Sequence, residues 1–497
     1  SDGLNALYTG NWFVAKSTDR GNSWDCGAIW YHTNFNHSRI GSPNNCCDND
    51  VVYKAPNFYW FRQGSDGRIN IATSIDLINW NFNLIVDTND NFIPEMDLDS
   101  ILRANNLTSP RGTCSGETRP ECNVNFWLDY PKMTVSSEYL YVSTSVILGC
   151  GRNGLTNPPC GPGDNLNYGS LVLRAKITDL NRNIVDQDYF ALSGNHFFDG
   201  TYKLGYTFAE GAEGIMYMAT STGTGNSLRV CSWMGEQHTP VPLITAPSCT
   251  NLPVGTFNRG AAVCVGHDNR NWCASTGGGN RIETGFYRSA YAGRGMVGFF
   301  WNVAGDPSAP VANYVSPWIK AAVFRINDAG GLDYLLDESA RYSIALEDSW
   351  IQRPYVASTR DGLGLMALYG GSRSPPGVVV GLFDSHSGNN WELRELVRPE
   401  YSDTGQCTAQ NNVRLGDYIR VRPFGGYQDS PRGLYEGAGF FFDGSSSITN
   451  CPASGPTVKV FYVVFGRGEV NDIWLGPDPT TMENGSSVME QTPAINP

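Results

Sequence analysis

Short apolar runs recur along the whole 497-residue chain, each closed off by Gly, Asn, Asp or Pro, with no long amphipathic helical pattern between them. Runs at 51–53, 139–147, 170–177, 215–220, 296–303, 321–326, 364–369, 378–383 and 458–465 read as strands. Residues 97–104 carry the pattern of one short helix. A chain patterned this way is confined to all-β architectures assembled from small hairpins. Composition agrees. The 56 Gly supply turns, and the 24 Tyr, 23 Phe and 13 Trp favour strands, while 17% charged residues is low for a helical protein.

The runs group into units of about 45–75 residues, a period expected of propeller blades with long loops. Six units open alike, with a charged residue ahead of an apolar run: Cys47-Asp48-Asn49-Asp50-Val51-Val52-Tyr53, Leu128-Asp129-Tyr130-Pro131-Lys132-Met133, Phe198-Asp199-Gly200-Thr201-Tyr202, Arg281-Ile282-Glu283-Thr284-Gly285-Phe286, Gln352-Arg353-Pro354-Tyr355-Val356 and Gly416-Asp417-Tyr418-Ile419-Arg420. Each opening is read as an inner strand, and runs such as 171–177, 228–233, 322–326 and 379–383 as outer strands. The expected fold is a six-bladed β-propeller over residues 1–477, its ring closed by N- and C-terminal strands. Seven blades is the alternative if residues 4–35 form a blade of their own. Residues 478–497 read as an extended tail or linker.

The net charge is −13, which argues against a nucleic-acid partner, since such a partner needs a basic face. Thirteen scattered cysteines without a CxxC pair fit disulfide-stapled loops better than a zinc site. Short-range candidate pairs are Cys114–Cys122, Cys150–Cys160 and Cys264–Cys273. Three sequons, at Asn36, Asn106 and Asn484, are candidate glycosylation sites. With no bilayer-length apolar run and no leading Met, the chain reads as the mature form of a secreted or cell-surface glycoprotein.

The sharpest local motif is Ser17-Thr18-Asp19-Arg20-Gly21-Asn22-Ser23-Trp24, with looser copies at Ser74-Ile75-Asp76-Leu77-Ile78-Asn79-Trp80 and Asp384-Ser385-His386-Ser387-Gly388-Asn389-Asn390-Trp391. It suits a hairpin turn in which Asp accepts backbone N–H bonds and Trp packs beneath. On these motifs the chain resembles the sialidase-like, Asp-box β-propeller superfamily. Its blade openings also look like those of secreted propellers of unknown function. The resemblance implies a fold. The sialidase activity would require an Arg-Ile-Pro segment, three arginines for a carboxylate, a Tyr–Glu pair and an Asp acid. Arg39-Ile40-Gly41-Ser42-Pro43 departs from the first of these. Arg281, Arg353 and Arg420 would supply the clamp, Tyr130 or Tyr418 the nucleophile and Glu283 its base.

The openings themselves place Asp48 or Asp50, Asp129, Asp199, Arg281, Arg353 and Asp417 in one ring at one mouth of the propeller. Such a ring either pairs with itself and with backbone N–H groups or binds a ligand. As ligands, Asp48, Asp50, Asp129, Asp199 and Asp417 favour Ca²⁺ through hard oxygens. As catalytic candidates, Asp129, Asp199, Glu283, Arg281, Arg353, Asp417 and Tyr418 would serve a polar sugar. The pair Glu210 and Glu213 reads as a hairpin turn. The preferred function is a non-catalytic module that recognises glycans or extracellular proteins and assembles into homo-oligomers or larger structures. The alternative is a carbohydrate-active enzyme, a sialidase-like glycoside hydrolase or a polysaccharide lyase, with its site at the axial funnel.

Overall fold

The computed structural model describes residues 1–9, 13–20, 25–28, 45–64, 69–86, 125–149, 165–180, 196–202, 204–223, 226–234, 247–255, 263–265, 281–288, 295–306, 315–327, 331–359, 362–371, 374–384, 390–397, 419–424, 433–442, 458–467, 473–475, 480–483 and 486–489. They are all-β apart from two short helical stretches, Ile177–Leu180 and Leu336–Tyr342.

The strands follow the chain as antiparallel meanders. The first holds β1 (Ala6–Thr9), β2 (Phe13–Ser17) and β3 (Asp25–Ala28). The second holds β4 (Asn45–Lys54), β5 (Asn57–Gly64), β6 (Ile69–Ser74) and β7 (Asn81–Val86). The third holds β8 (Asn125–Val135), β9 (Tyr139–Gly149), β10 (Asn165–Lys176) and β11 (His196–Asp199). Next come β12 (Thr207–Glu210), β13 (Ile215–Ser221), β14 (Ser227–Met234) and β15 (Ser248–Pro253), then β16 (Ile282–Arg288), β17 (Met296–Val303), β18 (Trp318–Ile326) and β19 (Leu332–Tyr334). The sixth holds β20 (Ser349–Ser358), β21 (Leu363–Gly371), β22 (Ser374–Asp384) and β23 (Asn390–Val397). After it come β24 (Arg420–Pro423), β25 (Tyr435–Phe442), β26 (Val458–Arg467) and β27 (Ile473–Leu475). A final hairpin, β28 (Thr480–Glu483) with β29 (Ser486–Met489), lies near β26 and β3.

The first strands of successive meanders adjoin one another, and β12 pairs with β16 in parallel. The apolar residues form slabs between neighbouring meanders instead of one central core. One slab combines Met366, Val378 and Val380 with Val421, Tyr435 and Phe465. Others join Phe300 and Val323 to Leu365 and Val379, and Tyr141 and Val172 to Phe208 and Trp233. Sheets that stand radially and bury both faces against their neighbours make a β-propeller arrangement.

Several sequence readings are corrected. Residues 198–202 open no unit: Phe198 and Asp199 end β11, the edge strand farthest from β8. The unit that follows starts at Thr207, where no charged residue announces it. The runs taken as outer strands lie in β10, β14, β18 and β22, each of which has a further strand beyond it. Those outermost strands escape detection because most are short, and β15 is largely exposed. Short edges limit unwanted pairing with other chains, and they carry little apolar signal. Residues 6–28 form a sheet of their own, the condition attached to the seven-blade alternative.

The turn between β6 and β7 bears out the role expected of its Asp. Asp76 Oδ1 accepts the backbone N–H groups of Ile78 and Asn79 at 2.8 Å, and Oδ2 accepts Asn79 Nδ2 at 2.8 Å. Burial, the largest single influence, raises the Asp76 carboxyl, but these bonds and one from Ser74 together outweigh it and hold the group at about 2. Trp80 then packs edge-on against Trp60, with ring centroids 5.5 Å apart. In the first copy Ser17 Oγ donates to Asp19 Oδ1 at 2.8 Å, while Trp24 lies outside the described residues.

One disulfide joins Cys231 to Cys249, which face each other across β14 and β15. It was not among the sequence candidates, because its partners are 18 residues apart across a hairpin and its loop. Cys264 is also disulfide-bonded, to a cysteine whose side chain is not described. The other candidate cysteines (Cys114, Cys122, Cys150, Cys160 and Cys273) and the three sequons lie outside the described residues.

Neighbouring sheets interlock at two reciprocal contacts. A Cβ on Gly364 of β21 would lie 2.4–2.7 Å from three ring atoms of Tyr435 of β25, and one on Gly437 of β25 would lie 2.1 Å from the Met366 methyl of β21. Tyr435 is 1% exposed, so its ring has nowhere to retreat. Gly364→Ala should therefore cost about 1–3 kcal/mol by overpacking. Gly437→Ala should cost less, because a Met side chain can re-route. Urea denaturation of the two variants checks the order.

Candidate axial site

Among the described residues, four inner strands have irregular register: β4 between Asn45 and Asn49, just before Asp50, and also β8, β16 and β20. Pairing of β8 with β9 slips between Asp129 and Lys132, and pairing of β20 with β21 slips between Gln352 and Tyr355. Each slip contains an X-Pro step, and the residue before Pro is left-handed, with φ 53° at Tyr130 and 55° at Arg353. In β16 the register slips between Ile282 and Thr284, at Glu283. A bulge re-aims a side chain out of the in–out alternation of a strand.

A cavity of ≈ 30 Å³ lies where six inner strands converge. Asp50 comes from β4, Lys132 from β8, Glu210 from β12, Glu283 from β16, Tyr355 from β20, and Arg420 and Arg422 from β24. A neighbouring cavity of ≈ 80 Å³ shares Asp50, Glu210 and both arginines and adds Tyr8 from β1. One water needs roughly 10–15 Å³ of such space, so the smaller cavity admits two or three waters or a single substituent and the larger about five to eight waters.

The carboxylates here are paired. Asp50, 4% exposed, accepts the Met133 backbone N–H at 3.0 Å and faces Arg420 Nε at 3.5 Å and Arg422 Nη2 at 3.4 Å. Arg422 Nη1 also pairs with Glu210. Glu283 faces Arg353 Nη1 at 3.4 Å and accepts a bond from Asn302, whose Oδ1 accepts the Arg353 backbone N–H at 2.7 Å.

Lys132 instead donates to neutral acceptors: Thr207 Oγ1 at 2.5 Å, the Ile282 carbonyl, and the Glu283 carbonyl at 3.1 Å. Burial pushes its ammonium down to about 7. Glu283 opposes that, while the guanidiniums of Arg281, Arg420 and Arg353 add to it. Burial also raises the Tyr8 and Tyr355 hydroxyls against the pull of Arg420, which lies 4.7 Å from the Tyr355 ring centroid. Among the described residues, Lys132, Arg281, Arg353, Arg420 and Arg422 surround the axis with the carboxylates of Asp50, Glu210 and Glu283, and a fourth, Glu436, lines the larger cavity and accepts the Tyr462 hydroxyl. Cations outnumber carboxylates at this centre among the described residues.

Of the residues singled out from sequence, Asp50, Glu283, Arg281, Arg353 and Arg420 come together here. Asp199 does not. It stands on β11, where it pairs with Arg229 Nε at 2.9 Å, accepts the Tyr206 hydroxyl at 2.7 Å and caps the Thr201 N–H at 2.9 Å. Glu283 is engaged by Arg353 and Asn302. The three arginines of the proposed clamp are directed differently: Arg353 to Glu283, Arg420 to Asp50 and Tyr355, and Arg281 to the Tyr130 ring at 3.5 Å. The backbones of Asp48 and Asp129 lie in β4 and β8, but their side chains are not described; Asp417 and Tyr418 lie outside the described residues. Among the described residues no three His, Cys, Asp or Glu side chains are grouped to hold a metal ion, and both oxygens of Asp50 already face N–H donors.

Sequence reading missed Lys132, Glu210, Tyr355 and Arg422. Lys132 and Tyr355 each follow the Pro of a bulge, so the signal was the X-Pro step rather than the leading charge. Glu210, read as part of a turn, is the last residue of β12 and turns its carboxylate to the axis.

No protein-family model matches this chain, and no curated protein matches it, so the Asp-box resemblance has no family match behind it. Among solved structures the chain is similar to the polysaccharide lyase Uly1, with 10% identity over 97% of this chain and 94% of that one and a TM-score of 0.37. It is similar to a PL25 ulvan lyase at 10% identity, covering 92% and 94% of the two chains, with a TM-score of 0.36. It is also similar to the Aleuria aurantia lectin, with 10% identity, 90% and 97% coverage and a TM-score of 0.33. Likeness this slight carries no argument, and the fold rests on the chain's own strand order.

The Lys132 shift has a thermodynamic consequence. Its folded value of about 7 lies below its ordinary 10.5, so between those pH values the unfolded chain binds more protons. Stability should rise with pH across that window, and the rise should flatten in Lys132→Met. Denaturant midpoints of both proteins at pH 7 and pH 10 check the sign.

Proposed function

We propose that this chain acts on an acidic carbohydrate at the mouth of its axial cavity, by elimination rather than hydrolysis. The observation that carries this reading is the surplus of cations around Lys132, an amine poised near neutrality beside guanidiniums and Tyr355. Hydrolysis of a glycoside needs two carboxylates available as acid and base or nucleophile. Among the described residues Asp50, Glu210 and Glu283 are committed to arginines, and Glu436 of the larger cavity to the Ser1 amine and the Tyr462 hydroxyl. Elimination needs other groups. A carboxylate small enough for the 30 Å³ cavity would meet Arg420 and Arg422, whose charge acidifies the adjacent ring C–H. Neutral Lys132 takes that proton, and the C–H electron pair becomes the C=C bond. The C–O bond to the neighbouring sugar breaks, and the Tyr355 hydroxyl protonates the leaving oxygen.

Non-catalytic recognition is the second reading, favoured by the same complete pairing of carboxylates, which would equally suit a static binding surface. Seven radial meanders are proposed as seven blades, with β28 and β29 beside the first. A disulfide suits an oxidising compartment, and no helix among the described residues is long and apolar enough to cross a membrane. Secretion and glycosylation at Asn36, Asn106 and Asn484 are proposed on that footing, and loss of mass on glycosidase treatment tests the latter.

Incubation with uronate-bearing polymers should release ultraviolet-absorbing unsaturated ends. The rate should rise with pH through about 7, following deprotonation of Lys132, and Lys132→Met should lower kcat about 100-fold or more. Binding without unsaturated product would leave recognition as the function. New reducing ends without unsaturation would point to hydrolysis instead.

A further inference from the structure

We infer that Tyr130 and Arg281 form a saccharide-binding platform at the axial mouth, which takes a sugar ring bearing an anionic group. This rests on the reading of the axis as a site for acidic carbohydrate. Tyr130 is 47% exposed, and among the described residues it is the one large exposed hydrophobic residue on an inner strand. It is also held in a left-handed backbone, φ 53°, which a non-glycine residue adopts only at a cost.

The same device at Arg353 shows what that conformation does when its role is internal. Arg353 is 8% exposed, pairs with Glu283 and has its backbone N–H held by Asn302. The bulge of β8 instead directs a broad aromatic ring towards solvent. Arg281 lies over that ring, its guanidinium 3.5 Å from the centroid, and immediately precedes Ile282, whose carbonyl holds Lys132. The ring at the β8 bulge and the guanidinium at the start of β16 therefore lie together, next to Lys132. With Arg281 over one face of the ring, the exposed remainder of Tyr130 suits a pyranose, whose carboxylate or sulfate takes paired N–H donors from the guanidinium at the ring's edge.

Calorimetric titration with oligogalacturonides, chondroitin sulfate and neutral dextran tests this. The wild type should bind at least one acidic probe and not dextran. Tyr130→Gly should weaken that binding about tenfold or more while the melting temperature stays level or rises, since glycine relieves the strained backbone. A packing role would lower both together. Tyr130→Phe should retain binding, which separates stacking from any use of the hydroxyl. Arg281→Gln should weaken binding of acidic probes about tenfold and reduce its dependence on salt.

No acidic probe bound, or binding unchanged in both Tyr130→Gly and Arg281→Gln, would overturn the platform. Unsaturated product formed with both variants binding normally sinks the platform alone. Binding that depends on both residues, with no unsaturated product from any polymer, sinks the elimination reading alone.

Discussion

A single buried carboxylate, Asp50, ties three strands of the inner ring together. From β4 it accepts the Met133 N–H of β8 and faces two guanidiniums of β24. Lys132 continues the chain of contacts from β8 to Thr207 of β12 and to two carbonyls of β16. Buried charges of this kind contribute little net stability, but breaking one leaves its partners uncompensated. They fix where each sheet meets the axis, while the apolar slabs farther out hold the sheets face to face.

The fold class was legible because strand periodicity survives in the second and third strands of each meander, which are buried and apolar. Tyr139–Gly149, Met296–Val303 and Leu363–Gly371 are examples. Unit boundaries were less legible. Thr207–Glu210 carries no leading charge, and Asp199 imitates an opening while it serves an outer hydrogen-bond cluster. The site was legible by half. Arg353 and Glu283 were found as charges, whereas Lys132 and Tyr355 reach the axis through bulges, whose register shifts no alternation pattern records.

The contrast between the whole and its centre also has physical weight. A chain of net charge −13 repels polyanions at long range, while on the proposed reading the cations described at its axis would attract them at short range. Within a Debye length of the mouth the local field prevails over the distant one. Specificity for an acidic partner can therefore coexist with an acidic surface that discourages indiscriminate association.

The paired recesses at Gly364 and Gly437 bear on how such a molecule can change over time. Each recess accepts a side chain from the adjoining sheet, so neither position drifts independently of its counterpart. Copying one meander over another would strand a tyrosine without its hollow. Blades joined this way diverge from their siblings and become fixed in their places in the circle.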